Sequence, residues 1–534
     1  MKYLWIFIIF AHSVSFAQSN EYLVFFKNKE KVNSSLVKES FSEKALLKKE
    51  ETGYDYYDYP ISINYLGSVK NHGAVVNKSR WLNGIHYKSD LSLDEIKNSF
   101  SFVTDVIKLN PISKPKESLL QETEISASTD SSVYGSTFDQ LEMTNTISCL
   151  HNKNLKGDGV LIAVLDAGFP ELDSMLAFKK LRDSGRIIDS YDFEDNAPFA
   201  YHKSTHGTYV STILTADLDS TYIGSAPKAN YAFYITEIAR FERNIEEFNL
   251  VLGLERADSI GADICSISLG YRNFDTLQVS YGYTGMDGRT TIASQGAAIA
   301  QRKGMIISVA AGNKGSGAGT LVAPCDTDSV LCVGAVKLDR SRAGFSSEGP
   351  SFDGRIKPDV MTVGEGCAFV GLDDTVRWGN GTSFATPLMS GMVACLKQAH
   401  PLRSNHQIIN AIKANSHESA SPNSVYGWGI PDACKVDSAL SYLDSVIAGI
   451  PNTLNPLKIQ IYPNPANELL TINTSEILYS IQIYTSTGKL VKSINLKSVN
   501  LSNQLSLHDL NKGIYLLKIM AEDGRVATKK IIKN

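Results

Sequence analysis

The stretch VLIAVLDAG, residues 160–168, decides the fold of this chain, because its unbroken apolar run is typical of a β-strand covered on both faces. Similar runs recur along the chain, and they are ANYAFYI (229–235), DICSISL (263–269), GMIISVAA (304–311) and SVLCVGAV (329–336). Helical patterns lie between them, for example over residues 245–261 and 290–304. The alternation predicts an α/β fold over residues 137–447, a doubly wound domain with a mostly parallel sheet.

Three polar residues stand in short motifs at the ends of these predicted elements. Asp166 follows the apolar run, His206 lies in STHGTYVS (204–211) and Ser383 lies in GNGTSFATP (379–387). A serine hydroxyl is a weak nucleophile that needs a base. An imidazole titrates near neutral pH, and a carboxylate can hold it in the required tautomer. We therefore predict that Asp166, His206 and Ser383 form an acyl-transfer triad in that chain order.

Asn313 and the backbone of Ser383 are predicted to stabilise an oxyanion. Asn313 ends the motif SVAAGN directly after a predicted strand, and its side-chain amide can donate a hydrogen bond. Ser383 stands between a glycine turn and a helix predicted over residues 384–398, so its N–H would point out of the positive helix end. Thr382 or Ser383 would open the helix, and Pro387 then falls near the first turn, where a missing N–H does little harm.

Each motif alone also has a purely structural interpretation. Asp166 could belong to a strand-end turn, and Ser383 could be a solvated helix cap. His206 could simply open a helix, with Thr205 as its N-cap. Four such motifs in one order favour the catalytic interpretation. Of the ten histidines only His206 has this context, and His202 is expected to be an exposed loop residue.

Residues 137–447 resemble the subtilisin-like serine peptidase family, the subtilases. The matching motifs follow one another along the chain, and they are VLIAVLDAG, THGTYVS, DICSISLG, SVAAGN, FSSEGP, KPDV, GTSFATPLMSG and YGWGIPDA. The resemblance implies an α/β core that cleaves peptide bonds through an acyl-enzyme, with Asp166, His206 and Ser383 as the triad. Asn313 would then be the oxyanion donor.

The resemblance also implies where a substrate binds. Ser268, Leu269 and Gly270 match the strand that pairs with substrate backbone in this family. Gly312 would lie beside the pocket for the side chain that precedes the scissile bond. The following segment, 271–289, is long and contains aromatic residues, so the pocket edge is expected to differ from that of typical members.

This chemistry requires no cofactor, and the sequence points to no metal site. The calcium-binding loop of the family is not identifiable, because the candidate carboxylates are not clustered. We expect these carboxylates to be solvated loop residues, and they are Asp217, Asp219, Asp326 and Asp328. A structural calcium ion stays open. The cysteines have no CxxC or HxxC partners, which argues against zinc.

All seven cysteines lie between Cys149 and Cys434, and an odd number leaves at least one free thiol unless two chains pair. Cys325 and Cys332 flank a short stretch and could close a loop, although a reduced pair is equally compatible with the sequence. Cys265 lies in an apolar run and is expected to be a small buried core residue.

The N-terminal part divides into three predicted segments. Residues 1–17 have the charged start, apolar run and small-residue end of a signal peptide, which favours cleavage over retention as an anchor. Residues 18–110 contain two predicted strands and a helix with a capping box of Ser92 and Glu95. This segment weakly resembles the propeptides that chaperone and inhibit subtilases, and an accessory binding domain is the alternative. Residues 111–136 are a linker expected to hold the maturation site.

After a second linker, residues 448–455, strand-like runs alternate with turn signals. Residues 456–534 are predicted to form an antiparallel β-sandwich. The motifs IYPNPANELLTI (461–472), IQIYTSTGKLV (481–491) and LNKGIYLLKI (510–519) resemble the C-terminal sorting domain of the type IX secretion system. Such domains direct a protein across the outer membrane. A carbohydrate- or protein-binding sandwich is the alternative.

The formal net charge of −4, without a long basic run, argues against a nucleic-acid partner. The sequence therefore predicts a serine endopeptidase that is exported through the periplasm and across the outer membrane, and is secreted or held at the cell surface. Its expected partners are protein or peptide substrates, its own propeptide and the secretion machinery. Two alternatives stay open: an inactive subtilase fold that binds other molecules at the surface, and acyl transfer other than proteolysis.

Overall fold

The structure is a computed structural model. It describes residues 20–29, 37–110, 122–123, 133–275, 279–317, 319–447, 459–474, 478–485, 490–496, 502–521 and 526–534. The predicted signal peptide, the linker 448–455 and most of the linker 111–136 lie outside the described residues. No helix within the described ranges combines the length and the hydrophobicity that a membrane span needs.

The N-terminal domain contains a four-stranded antiparallel sheet packed with helices. Its strands are β1 (Asn20–Phe26), β2 (Ala74–Ser79), β3 (Gly84–Ser89) and β4 (Val103–Leu109), in the order β2-β3-β1-β4. Its helices are α1 (Glu43–Thr52), α2 (Ile63–Lys70) and α3 (Leu93–Ser99). The predicted capping box is confirmed, because Ser92 Oγ accepts from the Glu95 N–H and the Glu95 carboxylate accepts from the Ser92 N–H.

An eight-stranded sheet forms the centre of the next domain. The strands of this domain are β5 (Glu122–Thr123), β6 (Leu161–Asp166), β7 (Ile187–Asp192), β8 (Ala197–Pro198), β9 (Asp217–Leu218), β10 (Tyr222–Ile223), β11 (Asn230–Ile235), β12 (Ile264–Ile267), β13 (Ile306–Ala310), β14 (Leu331–Val336), β15 (Val360–Val363), β16 (Cys367–Val370) and β17 (Val376–Gly379). The large sheet has the order β15-β14-β13-β12-β6-β11-β7-β8, and its neighbours are parallel except for β7 and β8. The predicted α/β fold is therefore confirmed.

Helices cover both faces of this sheet. They are α4 (Phe138–Glu142), α5 (Thr146–Cys149), α6 (Lys179–Asp183), α7 (His206–Thr215), α8 (Ile245–Ser259), α9 (Ile292–Arg302), α10 (Thr382–Ala399), α11 (Asn405–Ala414) and α12 (Ala433–Ile447). Side chains of β6 alternate between the two faces, as a strand period of two requires. Ile162 and Val164 pack with α7 and α10, whereas Leu161 and Leu165 pack with α8 and α9. The sheet is thus the middle layer of three.

The C-terminal residues form a second compact unit, Tyr442–Asn534. One sheet contains β18 (Ile459–Tyr462), β19 (Leu469–Thr474) and β22 (Ser502–Ser506), and the other contains β20 (Leu478–Thr485), β21 (Leu490–Asn495), β23 (Gly513–Ala521) and β24 (Val526–Lys533). Neighbouring strands within each of the two sheets pair antiparallel. Leu470 and Ile472 of the first sheet share a buried core with Ile483 and Leu517 of the second, which confirms the predicted sandwich.

Two disulfides join four of the seven cysteines. The Cys325–Cys332 pairing that the sequence left open is formed, and a second bond joins Cys149 of α5 to Cys434 of α12, 285 residues apart. Cys265 is fully buried in the core, as predicted. The sequence did not indicate the long-range bond. Only the folded topology brings α5 beside α12, and no local sequence pattern shows this.

Candidate active site

Asp166 and His206 lie against each other where β6 ends and α7 begins. The Nδ1 atom of His206 is 2.7 Å from Asp166 Oδ1, which also accepts a hydrogen bond of 2.8 Å from the Ala167 N–H. The Asp166 side chain is fully buried, and that of His206 is 20% exposed. A buried carboxylate that accepts from Nδ1 fixes the ring tautomer with Nε2 as the basic nitrogen.

Two glycines allow this close approach of strand end and helix start. A Cβ built on Gly168 would lie 2.4 Å from the carbonyl oxygen of His202 and from the N–H nitrogen of Ser204. A Cβ built on Gly207 would lie 2.2 Å from the Gly168 carbonyl oxygen. A larger residue at either position would push His206 away from its carboxylate partner.

The helix start at His206 differs from the prediction in one detail. Thr205 was expected to cap α7, but its backbone is already helical and its side chain makes no capping bond. Ser204 Oγ accepts from the His206 N–H at 3.3 Å instead. The cap is displaced because the antiparallel bridge between Gly168 and Lys203 fixes where the chain can turn into the helix.

Asn313 and Ser383 meet at the start of α10. The Asn313 Oδ1 atom accepts from both the N–H and the hydroxyl of Thr382, each at 2.9 Å, which orients Nδ2 as a donor. A Cβ built on Gly381 would lie 2.8 Å from Ser383 Oγ and 3.6 Å from Asn313 Nδ2. The hydroxyl and the amide thus border the same small space, and Gly381 keeps that space open. Helix α10 packs against α7, which begins with His206.

The helix that carries Ser383 starts at Thr382, one of the two residues predicted to open it, and Pro387 is its sixth residue. Pro387 therefore does not lie in the first turn, and the Ser383 carbonyl lacks the N–H that residue 387 would normally donate. The Ser268 hydroxyl donates to that carbonyl at 2.8 Å and replaces the missing bond. This contact ties the end of the 268–270 segment to the residue that carries the hydroxyl.

The residues expected to bind substrate flank Ser383 on two sides. Ser268, Leu269 and Gly270 follow β12 outside the sheet ladder and are partly exposed. On the other side, the Gly312 N–H donates to Thr382 Oγ1 at 3.2 Å. The substrate-binding role of these residues stays a prediction.

The expectation of solvated carboxylates is wrong for Asp326. Its side chain is fully buried and accepts from Ser294 Oγ at 2.6 Å and from the Gly288 N–H at 2.7 Å. Burial raises the pKa of Asp326. Asp217 and Asp219 form ion pairs with Lys180.

One group of three carboxylates within the described part of the chain is close enough to share a cation. Glu237, Glu242 and Glu246 place ligand atoms within 4.8 Å of one another. Glu246 already accepts from two backbone N–H groups, those of Ile238 and Arg243. Burial and the neighbouring Glu237 raise the pKa of Glu246, so a proton can bridge the group as well as a metal can.

The sequence did not indicate a buried contact between the N-terminal domain and α8. The Glu255 carboxylate accepts from the Ser79 hydroxyl and from the N–H groups of Arg80 and Trp81, at 3.1 Å and 3.2 Å. Glu255 and Ser79 are both buried. Because three donors of the N-terminal domain bind this one buried carboxylate of α8, the contact fixes how residues 79–81 lie against the helix.

Lysines of α1 complete this interface. Lys44 and Lys48 donate to the Asp263 carboxylate at 2.6 Å and 2.8 Å, and Lys49 lies 3.2 Å from Asp258. Burial raises the pKa of Asp263, but the charges and hydrogen bonds of the two lysines outweigh it and lower the pKa to about 2. The carboxylate is therefore ionised wherever the two domains stay together near neutral pH.

Comparison with known proteins gives three family matches along the chain. The Subtilase family matches residues 157–429, about half of the chain. The peptidase S8 propeptide domain of Bacteroidota matches residues 21–124. The secretion system C-terminal sorting domain matches residues 460–534.

Individual relatives match about half of the chain. Subtilisin Savinase of Lederbergia lenta is 29% identical over 289 residues, which are 53% of this chain and 92% of the relative. Subtilisin E of Bacillus subtilis is 28% identical over 275 residues, 50% of this chain and 63% of the relative. Among solved structures, MycP1 with its N-terminal propeptide removed has a TM-score of 0.45 and 23% identity, over 56% of this chain and 95% of that one.

Proposed function

Because the chain belongs to the subtilase family and is a serine endopeptidase, we propose that it hydrolyses peptide bonds through an acyl-enzyme formed on Ser383. The observation that carries the proposal is the 2.7 Å contact between His206 Nδ1 and the buried Asp166 carboxylate. A ring held in this way has Nε2 as its basic nitrogen, and the helices that start at His206 and at Thr382 pack together.

In the proposed reaction, His206 Nε2 takes the proton of the Ser383 hydroxyl as that oxygen attacks the peptide carbonyl. Asp166 holds the ring and stabilises the imidazolium that forms. Asn313 Nδ2 and the Ser383 N–H donate to the oxyanion. The imidazolium then gives its proton to the leaving amine, and water attacks the acyl-enzyme by the same route.

The proposed substrates are proteins or peptides in extended conformation. The partly exposed backbone of residues 268–270 would pair with the substrate chain by strand addition, and Gly312 would border the pocket of the acylating residue. The reaction uses groups of the chain alone. We expect a chelator to leave kcat unchanged, and a loss of activity in EDTA would direct attention to Glu237, Glu242 and Glu246 as a structural cation site.

The experiment that tests the nucleophile is labelling of the secreted enzyme with a fluorophosphonate probe. Ser383→Ala should abolish labelling, because the probe reacts only with an activated serine. Ser390→Ala is the matched control, since Ser390 lies on the same helix and is buried with bonds to Ser266 and Thr386. Equal labelling of wild type and Ser383→Ala would remove Ser383 from the proposed role.

Product analysis separates hydrolysis from other acyl transfer. Incubation with a peptide substrate and an excess of a second amine-bearing peptide should give free acids as the main products. If most of the product were ligated peptide, the proposed activity would be transpeptidation by the same residues and not hydrolysis. A chain that neither cleaves peptides nor reacts with the probe would support the inactive alternative.

A further inference from the structure

One side chain occupies the space between the two segments that flank Ser383. A Cβ built on Gly270 would lie 2.2 Å from Val322 Cγ2, and a Cβ built on Gly312 would lie 3.0 Å from the same atom. The sides of Gly270 and Gly312 that lack a side chain, here called the glycine faces, therefore both lie against Val322. Its side chain is only 5% exposed.

This space is where the side chain of the acylating residue must go. The reacting carbonyl has to lie between Ser383 Oγ and Asn313 Nδ2, and Gly312 is the residue before Asn313. The 268–270 segment is fixed on the opposite side by the bond from Ser268 Oγ to the Ser383 carbonyl. A side chain that extends from the acyl carbon enters the gap between Gly270 and Gly312, where it meets Val322.

Backbone bonds hold Val322 in place. Tyr271 and Ala323 exchange two hydrogen bonds, of 2.8 Å and 2.9 Å, and the Val322 N–H donates to the Ala311 carbonyl at 3.4 Å. Arg272 donates to the carbonyls of Gly319 and Leu321 in the same loop. Val322 cannot withdraw without breaking these bonds, and a branched side chain at fixed backbone has little rotamer freedom.

We propose that Val322 closes the floor of the pocket and restricts cleavage to bonds that follow small residues such as alanine. The inference rests on the proposed function and narrows its substrate class to chains with small side chains before the scissile bond. An aromatic ring would have to displace a valine that is packed against two glycine faces, which close-packed protein does not readily allow.

The test compares tetrapeptide p-nitroanilides that differ only in the residue before the anilide. For the secreted wild-type enzyme, kcat/KM should be about 10–200-fold higher with alanine than with phenylalanine. Val322→Gly should raise the phenylalanine-to-alanine ratio of kcat/KM at least about 10-fold, and Val322→Ala should give an intermediate value. The ratio is taken within one sample, so partial loss of folded enzyme cancels.

Val333→Ala is the control, because Val333 is a buried valine of β14 whose side chain packs in the core with residues of α7 and α10, and the substitution keeps its backbone bonds. It should leave the ratio unchanged. A wild-type enzyme that prefers phenylalanine, or a Val322→Gly variant with an unchanged ratio, would overturn the proposal.

A second readout does not depend on peptide hydrolysis. Tetrapeptide acids ending in alanine should slow fluorophosphonate labelling of the wild type more than those ending in phenylalanine, and Val322→Gly should remove the difference. Protection that follows this pattern in an enzyme that cleaves no peptide would reject the proposed function and support the pocket assignment. Equal protection by both acids would reject the pocket assignment alone.

Discussion

The two oxygens of the Asp166 carboxylate have different surroundings. Oδ1 accepts from His206 Nδ1 and from the Ala167 N–H, whereas Oδ2 is buried and has no hydrogen-bond partner among the described residues. Burying a carboxylate with one oxygen left without a hydrogen bond is energetically costly. Such a cost is typical of functional sites, where the charge is needed for the reaction. In the proposed mechanism the charge stabilises a cationic His206.

The variant Asp166→Asn tests that charge. Asparagine keeps the shape of the side chain and can still accept from the Ala167 N–H, so the fold should survive. Loss of the negative charge should lower kcat by about 10⁴-fold, because the imidazolium is no longer stabilised. Peptide kinetics and circular dichroism on the same sample check both statements, and an Asp166→Asn enzyme within tenfold of wild-type kcat would contradict the assigned role.

Removing the side-chain amide of Asn313 should weaken the stabilisation of the oxyanion. Asn313→Ala should lower kcat by about 10²–10³-fold with KM nearly unchanged, the range that losing one oxyanion donor costs in a subtilisin. Fluorophosphonate labelling should persist at a reduced rate. Because Asn313 Oδ1 also binds Thr382, a melting curve is the control for a displaced helix start. An unchanged kcat would exclude Asn313 from the oxyanion site.

At the scale of elements, the acidic residues of α8 connect it to its neighbours. Glu247 is fully buried, accepts from the Tyr281 hydroxyl at 2.9 Å and from the Ala293 N–H of α9 at 3.1 Å, and so joins α8, α9 and the long segment after Gly270. Burial raises the pKa of Glu247 to about 7. The same helix binds the N-terminal domain through Glu255 and Asp258.

The raised pKa of Glu247 makes stability depend on pH. The folded state holds the proton more tightly than the unfolded state, whose glutamate has its ordinary pKa of 4.5. The free energy of unfolding should therefore fall as pH rises from 4.5 through about 7, by on the order of 3 kcal/mol from this group. Glu247→Gln should flatten the curve of Tm against pH in this window, and parallel curves for both proteins would contradict the assignment.

We propose that the N-terminal domain, which matches a propeptide domain, inhibits the central domain after processing, and that the interface lysines contribute to its affinity. Lys48 donates to Asp263 and to the carbonyls of Gly261 and Ala262, so Lys48→Met removes three bonds to the central domain and leaves the sequence of that domain unchanged. We expect the processed domain to dissociate about tenfold more readily, a free-energy change of about 1.4 kcal/mol. Residual activity after dilution measures this.

Lys97→Met is the matched control for that variant, because exposed Lys97 pairs with Asp105 of its own domain. It should leave inhibition unchanged. If both variants inhibit as wild type does, the lysine contacts do not determine the affinity of the N-terminal domain.

Local motifs allowed much of this structure to be predicted. The apolar run before Asp166 and the glycines around Ser383 act over a few residues, so strand, turn and helix follow from the sequence itself. The burial of Asp326 depends on a partner far along the chain, Ser294, and no local pattern contains it. The same holds for the Cys149–Cys434 bond and for the domain contact at Glu255.

At the scale of the whole molecule, the chain combines three matched domains, and the C-terminal one carries the signal for export. The N-terminal match is a propeptide domain, and the C-terminal match is a sorting domain that sends the protein through type IX secretion to the cell surface or outside. The sorting domain has its own buried core and forms a separate compact unit. Removing it should therefore leave the central domain folded.

Deletion of residues 456–534 tests this separation of sorting from catalysis in a cell that carries the type IX system. We expect the truncated chain to remain in the periplasm and to react there with the fluorophosphonate probe, because Asp166, His206 and Ser383 all belong to the other unit. Full-length Ser383→Ala, which keeps its sorting domain, should leave the periplasm without labelling. Fractionation followed by probe labelling and immunoblotting distinguishes the two, and truncated enzyme in the medium would show that the C-terminal unit is not the export signal.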